Sequence, residues 1–361
     1  MRKIIVIVLS FFMVLVSITA FTAHAEEYED YGAEITEELD GLLADYDIGF
    51  NAADIDGLSF ESLWDMVWGE LSARLAAPLR ILSSIFLVIV FGSVTRSAVN
   101  GSGDIYGMVC VMAAVTVIVP QLMTVYGEIL RTIQITGSFI LVFVPVLSAV
   151  SVACGNFTTA GVCHMMLLGA SELIVKLSES YLLPVLGVTA ALGVTGSVFP
   201  STSLDSLVNL LKKTVTWGIS ITMTLFSGFV TLKCSITGKA DGAAAKTAKM
   251  LVSGFIPIVG GAVSDAYSTV KGSFEVIGGT VGAAGIIGVV MLLLPGILEL
   301  CVYRGVMWVG KAVADVFSEE AMSKLLKSID SGFAIAQSVM ICYSVIFILC
   351  SAILMKTLST I

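Results

Sequence analysis

Long apolar stretches constrain most strongly what this chain can fold into. A transmembrane α-helix needs about 20 predominantly apolar residues, and stretches of roughly that length follow one another from residue 79 onward. They cover residues 79–99, 106–126, 133–153, 160–182, 183–199, 215–232, 276–301 and 332–355, and the fourth and fifth could form one broken helix. The apolar residues are continuous within each stretch, which excludes the alternating strands of a membrane barrel. We therefore expect an all-α, polytopic integral membrane helical bundle with about 8 spans.

The composition agrees with a membrane protein and excludes several other classes. Of the 361 residues, 57% are hydrophobic and 13% are charged, whereas soluble globular chains have about 25% charged residues. An ordinary soluble enzyme and a disordered linker are thereby excluded. The formal net charge is −9 and no block of Lys or Arg stands out, so we expect membrane lipid as a partner and no nucleic acid.

The amino terminus has the three parts of a secretory signal peptide. Residues 1–3 (MRK) carry two positive charges, residues 4–21 are apolar, and residues 23–25 (AHA) provide an A-x-A cleavage site. We predict a cleavable signal peptide over residues 1–25. The alternative is an uncleaved anchor helix.

An acidic segment follows over residues 26–78, with 15 Asp or Glu residues and one basic residue, Arg74. Within it, apolar residues recur at helical spacing from Phe60 to Leu71 and include Trp64, which predicts an amphipathic helix. Because Trp favours the membrane interface, we expect this extracytoplasmic arm to place its helix on the membrane surface. Docking to an extracytoplasmic partner is the alternative. The multi-span membrane domain is then expected over residues 79–361.

Residues that could carry enzymatic chemistry are scarce. The chain has two His, and His24 falls in the predicted signal peptide, so neither a His-based zinc site nor a Ser-His-Asp triad can be assembled around His164. Residues 305–311 (GVMWVGK) resemble a phosphate-binding loop, but Ala312 stands where that motif requires Ser or Thr. The seven Cys lie in or beside apolar stretches, which predicts buried free thiols. We therefore expect no enzyme activity, no cofactor and no metal site.

Charged residues inside a predicted span are functional candidates, because their burial in lipid is costly. Glu172, Lys176 and Glu179 lie at positions i, i+4 and i+7 and share one helical face. This intramembrane polar face could form a polar path through the bundle. It could instead be a self-neutralised face near the membrane edge or a packing clamp between helices. Glu299 and Arg304, near the end of the seventh span, are expected to pair at the membrane edge.

The densest pattern lies between residues 240 and 288. Its candidate functional residues are Lys246, Lys249, Pro257, Gly260, Gly261, Asp265, Gly282 and Gly285. Pro removes a backbone donor and paired glycines loosen a helix, so we predict a helix break near residues 257–261. Gly278 and Gly282 offer a flat face for close helix packing. The segment is either a kinked, glycine-packed helix pair or the lining of a pore.

The same segment carries a resemblance to a known family. The ordered runs AKTAK, FIPIVGGAVSDA and VGAAG resemble stage III sporulation protein AE of endospore-forming bacteria, most sharply over residues 243–285. The resemblance implies a non-enzymatic membrane component of the channel, or feeding-tube, complex that connects mother cell and forespore and supports late forespore development. It also implies other stage III sporulation membrane proteins and a forespore-side channel partner as partners. The implied location is the mother-cell-derived membrane around the forespore.

Two rival functions remain open at this point. An autonomous secondary transporter is suggested by the predicted helix break and by a faint inverted repeat that relates Pro145 to Pro257. A membrane-embedded enzyme is disfavoured by the missing nucleophile and base residues.

Overall fold

The computed structural model describes residues 74–98, 103–199, 204–255 and 260–359, together with Gly41, Ala44, Asp65, Trp68, Gly69 and Ser72. These long ranges fold into α1 (Ala76–Ala98), α2 (Gly103–Ala153), α3 (Phe157–Leu177), α4 (Leu183–Val198), α5 (Asp205–Phe255), α6 (Gly260–Val316) and α7 (Glu320–Ser359). A π-helical turn, Ser178–Leu182, joins α3 to α4. The predicted signal peptide lies outside the described residues, as does most of the acidic segment.

The described part of the chain has six helical stretches that are long and apolar enough to cross a membrane. They are Ala76–Val94, Val111–Ala153, Phe157–Val198, Ser206–Ala244, Val276–Val316 and Glu320–Lys356. The predicted all-helical fold is confirmed here, but the count of eight spans is not. The second and third predicted spans are both parts of α2, and the residues between them, 127–132 (GEILRT), continue the helix.

The π turn lies where the fourth and fifth predicted spans meet. Pro184 stands near the start of α4, and it has no N–H to donate to the preceding turn. A π turn accommodates such a local irregularity by widening the helix by one residue without ending it. The two predicted spans therefore form one continuous stretch, Phe157–Val198.

Helix α7 lies at the centre of the bundle and packs against α2, α3, α4, α5 and α6. The ring of Phe333 in α7 has its centroid 5.7 Å from that of Tyr126 in α2 and 5.4 Å from that of Tyr303 in α6. Further along α7, Phe347 packs against Phe143 of α2 at 6.2 Å. Aromatic pairs of this kind contribute about 0.5–1.5 kcal/mol each beyond the area that they bury. The core thus runs along most of the length of α7.

Several helices are about twice as long as a bilayer is thick. The stretch Val111–Ala153 has 43 residues, which at about 1.5 Å per residue span ~64 Å, against ~30 Å for the hydrocarbon core. Glu128, Glu179 and Glu299 lie near the middle of the long stretches, and Arg74 lies just before α1. We name these four residues the mid-length belt. Within it, the Arg74 guanidinium lies 3.4 Å from the Glu299 carboxylate, beside Glu128. In α2, Glu128 lies between the two apolar stretches 106–126 and 133–153.

Candidate functional site

The predicted helix break falls between α5 and α6. Helix α5 ends at Phe255, and α6 begins with Gly260 and Gly261. Pro257 lies outside the described residues. Helix ends therefore flank the predicted break on both sides, and the break itself stays a prediction.

The charged candidates of this segment lie on the two helices that flank it. Lys246 is exposed near the end of α5. Lys249 belongs to α5 and Asp265 to α6, and the side chains of both lie outside the described part of the chain. Of the three, Lys246 is thus the residue that the structure places on the outer surface.

Gly282 and Gly285 are buried where α6 meets its neighbours. A Cβ added to Gly285 would overlap the ring of Phe143 in α2, and a Cβ added to Gly282 would lie 2.5 Å from the Cγ of Met355 in α7. Because glycine has no side chain, α2 and α7 can place large side chains directly against the α6 backbone. These two glycines are packing positions, and they lie apart from the exposed Lys246.

Glu172, Lys176 and Glu179 lie on the outer surface of the bundle. The Lys176 Nζ is 2.6 Å from the Glu172 Oε1, and the two side chains are 69% and 67% exposed. Glu179 is also exposed and accepts a hydrogen bond of 2.8 Å from the Nε2 of Gln134 in α2. The three charged groups therefore do not line a path through the described interior. The π turn that begins at Ser178 changes the helical register, so Glu179 bonds to α2.

A carboxylate from α5 caps the first turn of α3. The buried Asp241 accepts hydrogen bonds from the Thr158 N–H (3.2 Å), the Thr159 N–H (2.8 Å) and the Thr159 hydroxyl (2.8 Å). Asn156, at the N-cap position itself, makes no side-chain capping bond. The first N–H groups of a helix have no partner within it and form the positive end of its dipole, so a carboxylate is stabilising there. Asp241 therefore fastens α3 to α5.

Buried thiols lie on the same pair of helices. Cys163 of α3 and Cys234 of α5 are fully buried with their Sγ atoms 2.9 Å apart. Cys154, Cys342 and Cys350 are buried as well, so the prediction of buried free thiols is confirmed for these five residues, whereas Cys301 is only partly buried. Among the described residues, no group of three or more His, Cys, Asp or Glu side chains is placed to hold a metal ion.

A charged network joins α5, α6 and α7. The Arg304 side chain of α6 is 17% exposed. Its Nε donates to the Asp330 Oδ1 at 2.8 Å, and its Nη1 donates to the Gln337 Oε1 at 2.6 Å. The Nζ of Lys212 in α5 lies 4.0 Å from the other oxygen of Asp330. The Asp330 carboxylate thus holds two cations from two other helices.

The predicted pair between Glu299 and Arg304 is wrong. Residues five positions apart on an α-helix point in directions about 140° apart, so the two side chains reach different neighbours. Glu299 turns toward Arg74, and Arg304 turns toward Asp330.

Comparison with known proteins places the chain in a family. The family model described as stage III sporulation protein AE matches residues 51–357, which reach from before α1 to the last turn of α7. The chain belongs to the stage III sporulation protein AE family. The stage III sporulation protein AE of Bacillus subtilis (strain 168) is 22% identical to it over 277 residues, or 74% of this chain and 69% of that relative. No solved structure matches the chain significantly.

Two charged clusters of this member of the stage III sporulation protein AE family were not predicted from the sequence. They are the Asp241 cap on α3 and the network around Asp330. Asp241 and Asp330 each have a Lys within three positions along the chain, so no local pattern distinguished them, and Arg304 was assigned to Glu299. Their partners could not be identified, because Asp241 bonds to Thr159 across 82 positions and Arg304 bonds to Asp330 across 26. Spacing along a single helix does not reveal contacts of that kind.

Proposed function

We propose that this chain is a non-enzymatic, multi-pass membrane component of the channel complex that connects mother cell and forespore, and that late forespore development needs it. Family membership supports a role in sporulation, and the long apolar helices support insertion into a membrane. The proposed location is the mother-cell-derived membrane around the forespore. The acidic segment 26–78 would lie on the extracytoplasmic side after removal of residues 1–25.

The observation that carries this proposal is the filled interior of the described bundle. Where helices meet, a glycine on one helix receives a side chain from another, as Gly285 receives Phe143 and Gly193 receives Ser328. Aromatic contacts along α7 fill the space between these glycine contacts. A chain packed in this way acts as a wall or scaffold, and a passage for cargo then runs between the chain and its partners.

The segment between α5 and α6 is the proposed contact surface for partners. Lys246 is exposed beside it, and the predicted break exposes backbone groups that an ordinary helix would satisfy internally. Partners of this surface are other stage III sporulation membrane proteins and the forespore-side channel partner. An autonomous secondary transporter with a broken-helix substrate path is the alternative, and it would need a path through the chain itself.

Recovery of the tagged protein from sporulating cells tests the proposal. After mild cross-linking and detergent extraction, we expect other stage III sporulation membrane proteins to co-purify with it. The matched control is an unrelated multi-pass membrane protein with the same tag, expressed at the same stage. Recovery of the chain alone, combined with solute uptake by the purified protein in vesicles, would favour the transporter.

A further inference from the structure

Two cysteine side chains are in contact at the interface of α3 and α5. The Sγ atoms of Cys163 and Cys234 lie 2.9 Å apart, and both side chains are fully buried. The structure holds both as free thiols. A disulfide bond places its two sulfur atoms about 2.05 Å apart. The two thiols are therefore within roughly 1 Å of bonding distance, on helices that are otherwise joined only through the π turn and α4 along the chain.

The cap at the start of α3 keeps the two thiols opposite each other. Cys163 follows Thr159 by one helical turn on α3, and Cys234 precedes Asp241 by two turns on α5. Residues at these spacings share one face of a helix. The hydrogen bonds between Thr159 and Asp241 and the contact between the thiols therefore lie on the same two facing surfaces. Sliding of α3 along α5 would break the cap, so the register that brings the sulfur atoms together is fixed.

The start of α3 lies on the extracytoplasmic side in the proposed topology. With residues 26–78 outside, α1 leads into the cell and the continuous helix α2 leads back out, so α3 begins outside. Cys163 lies roughly 9 Å along the helix axis from Phe157, the first residue of α3. Thiols in extracytoplasmic compartments meet oxidising conditions, whereas cytoplasmic thiols are kept reduced. This step rests on the proposed function, which places the acidic segment on that side.

We propose that Cys163 and Cys234 form a disulfide bond that links α3 to α5 in the mature membrane protein. The oxidant is the disulfide of an extracytoplasmic thiol oxidoreductase. One cysteine thiolate attacks that disulfide and forms a mixed disulfide, and the other cysteine then attacks the mixed disulfide and releases the oxidoreductase. The two cysteines lose two protons and two electrons, and the oxidoreductase gains them as it becomes a dithiol. Because the packed helices bury both thiols, the exchange takes place before α3 and α5 have closed over the pair.

The bond closes a large part of the bundle into a loop. The two cysteines are 71 positions apart, and the chain between them includes most of α3, the π turn, all of α4 and the first part of α5. A cross-link restricts the unfolded chain, and the restriction grows with the length of the loop. The bond therefore keeps α3 and α5 together even when the hydrogen bonds of the Asp241 cap open.

Differential thiol labelling of the tagged full chain from sporulating cells tests the bond. Cells are quenched in acid, free thiols are blocked with N-ethylmaleimide in denaturant, and thiols released by reduction are counted by the gel shift from a maleimide polymer. The chain has seven cysteines, and we expect two of them to escape blocking until reduction. Cys163→Ser combined with Cys234→Ser should remove this shift. The matched control is Cys350→Ser, which removes a buried thiol beside the pair and should keep it.

Peptide mapping of the wild-type chain tests the bond without any variant. A digest prepared under non-reducing conditions should contain the peptide with Cys163 linked to the peptide with Cys234, and reduction should separate the two. Complete blocking of the wild-type thiols before reduction would overturn the proposal. A shift that persists in the double Ser variant, or a linked peptide that contains Cys350 instead, would do the same.

The disulfide and the channel proposal can fail independently. Co-purification of partners from sporulating cells is scored separately from the state of the thiols. A chain that holds the disulfide but recovers no partner contradicts the channel proposal alone. A chain that recovers its partners with both thiols reduced contradicts the disulfide alone.

Discussion

The missing side chain of Gly285 sets the distance between two helices. The ring of Phe143 occupies the place that a Cβ would take. Phe143 in turn stacks on Phe139 at 5.5 Å and packs against Phe347 of α7. A single glycine in α6 therefore determines where a row of aromatic rings lies between α2 and α7.

Replacement of Gly285 by Leu is expected to push α2 away from α6. Overpacking of a well-filled core costs about 1–3 kcal/mol, and we expect a loss of at least that size in the free energy of unfolding. Thermal unfolding in detergent measures it. The matched control is Gly279→Leu, on the same helix, where a Cβ meets no atom within 4 Å. Equal melting temperatures for the two variants would contradict the prediction.

Replacement of Asp241 by Asn should release the first turn of α3. The Asn amide puts an NH₂ donor in place of one carboxylate oxygen that accepts from Thr158 or Thr159. A buried donor left without an acceptor costs about 1–3 kcal/mol. Hydrogen exchange of the Thr158 and Thr159 amides should accelerate. The control is Asp315→Asn, which removes an exposed ion pair with Lys311. Hydrogen exchange of the α3 amides should not change in this variant. Equal exchange rates at Thr158 and Thr159 in the two variants would contradict the capping role of Asp241.

At the scale of elements, the end of α5 and the start of α6 carry the most specific prediction. Gly260→Leu combined with Gly261→Leu should straighten the predicted break, because glycine is a poor helix former and leucine is a good one, so the double variant favours extension of α6 toward Phe255. We expect loss of heat-resistant spores while the protein still accumulates in membranes, measured by spore counts and immunoblots. Pro257→Ala alone should be milder, since the glycines still permit the bend. A near-normal spore yield from the double-Leu variant at normal protein level would show that the break is not needed.

The mid-length belt predicts that water reaches the middle of α2. Fitting its ~64 Å apolar stretch into a ~30 Å core would need a tilt above about 60°, beyond the range of about 0–40° seen for membrane helices. Cysteine placed at the exposed Gly127, beside Glu128, should therefore react with a membrane-impermeant maleimide in permeabilised cells. Cysteine at the exposed Leu141, in the apolar half, should not react. Protection of both positions would mean that the whole stretch lies in lipid.

At the scale of the whole molecule, helices were easier to predict than contacts. Continuous apolar stretches were sufficient to predict that residues 106–126, 133–153 and 332–355 are helical, because backbone in lipid must form its hydrogen bonds within its own segment. Whether residues 127–132 would turn back or continue the helix was not decidable, since both outcomes agree with the local pattern. In the candidate site, the small-residue spacing at Gly282 indicated close packing. The exposure of Lys176 depends on how neighbouring helices are placed and has no local signal.

The cap on α3 also sets an order of assembly. Asp241 follows Thr159 by 82 positions, and at a synthesis rate of about 5–20 residues per second the carboxylate appears ~4–16 s after the helix that it caps. Until then the first N–H groups of α3 have no such acceptor, and the start of the helix frays. The arrival of α5 completes α3, so the two helices mature together although they leave the ribosome at different times.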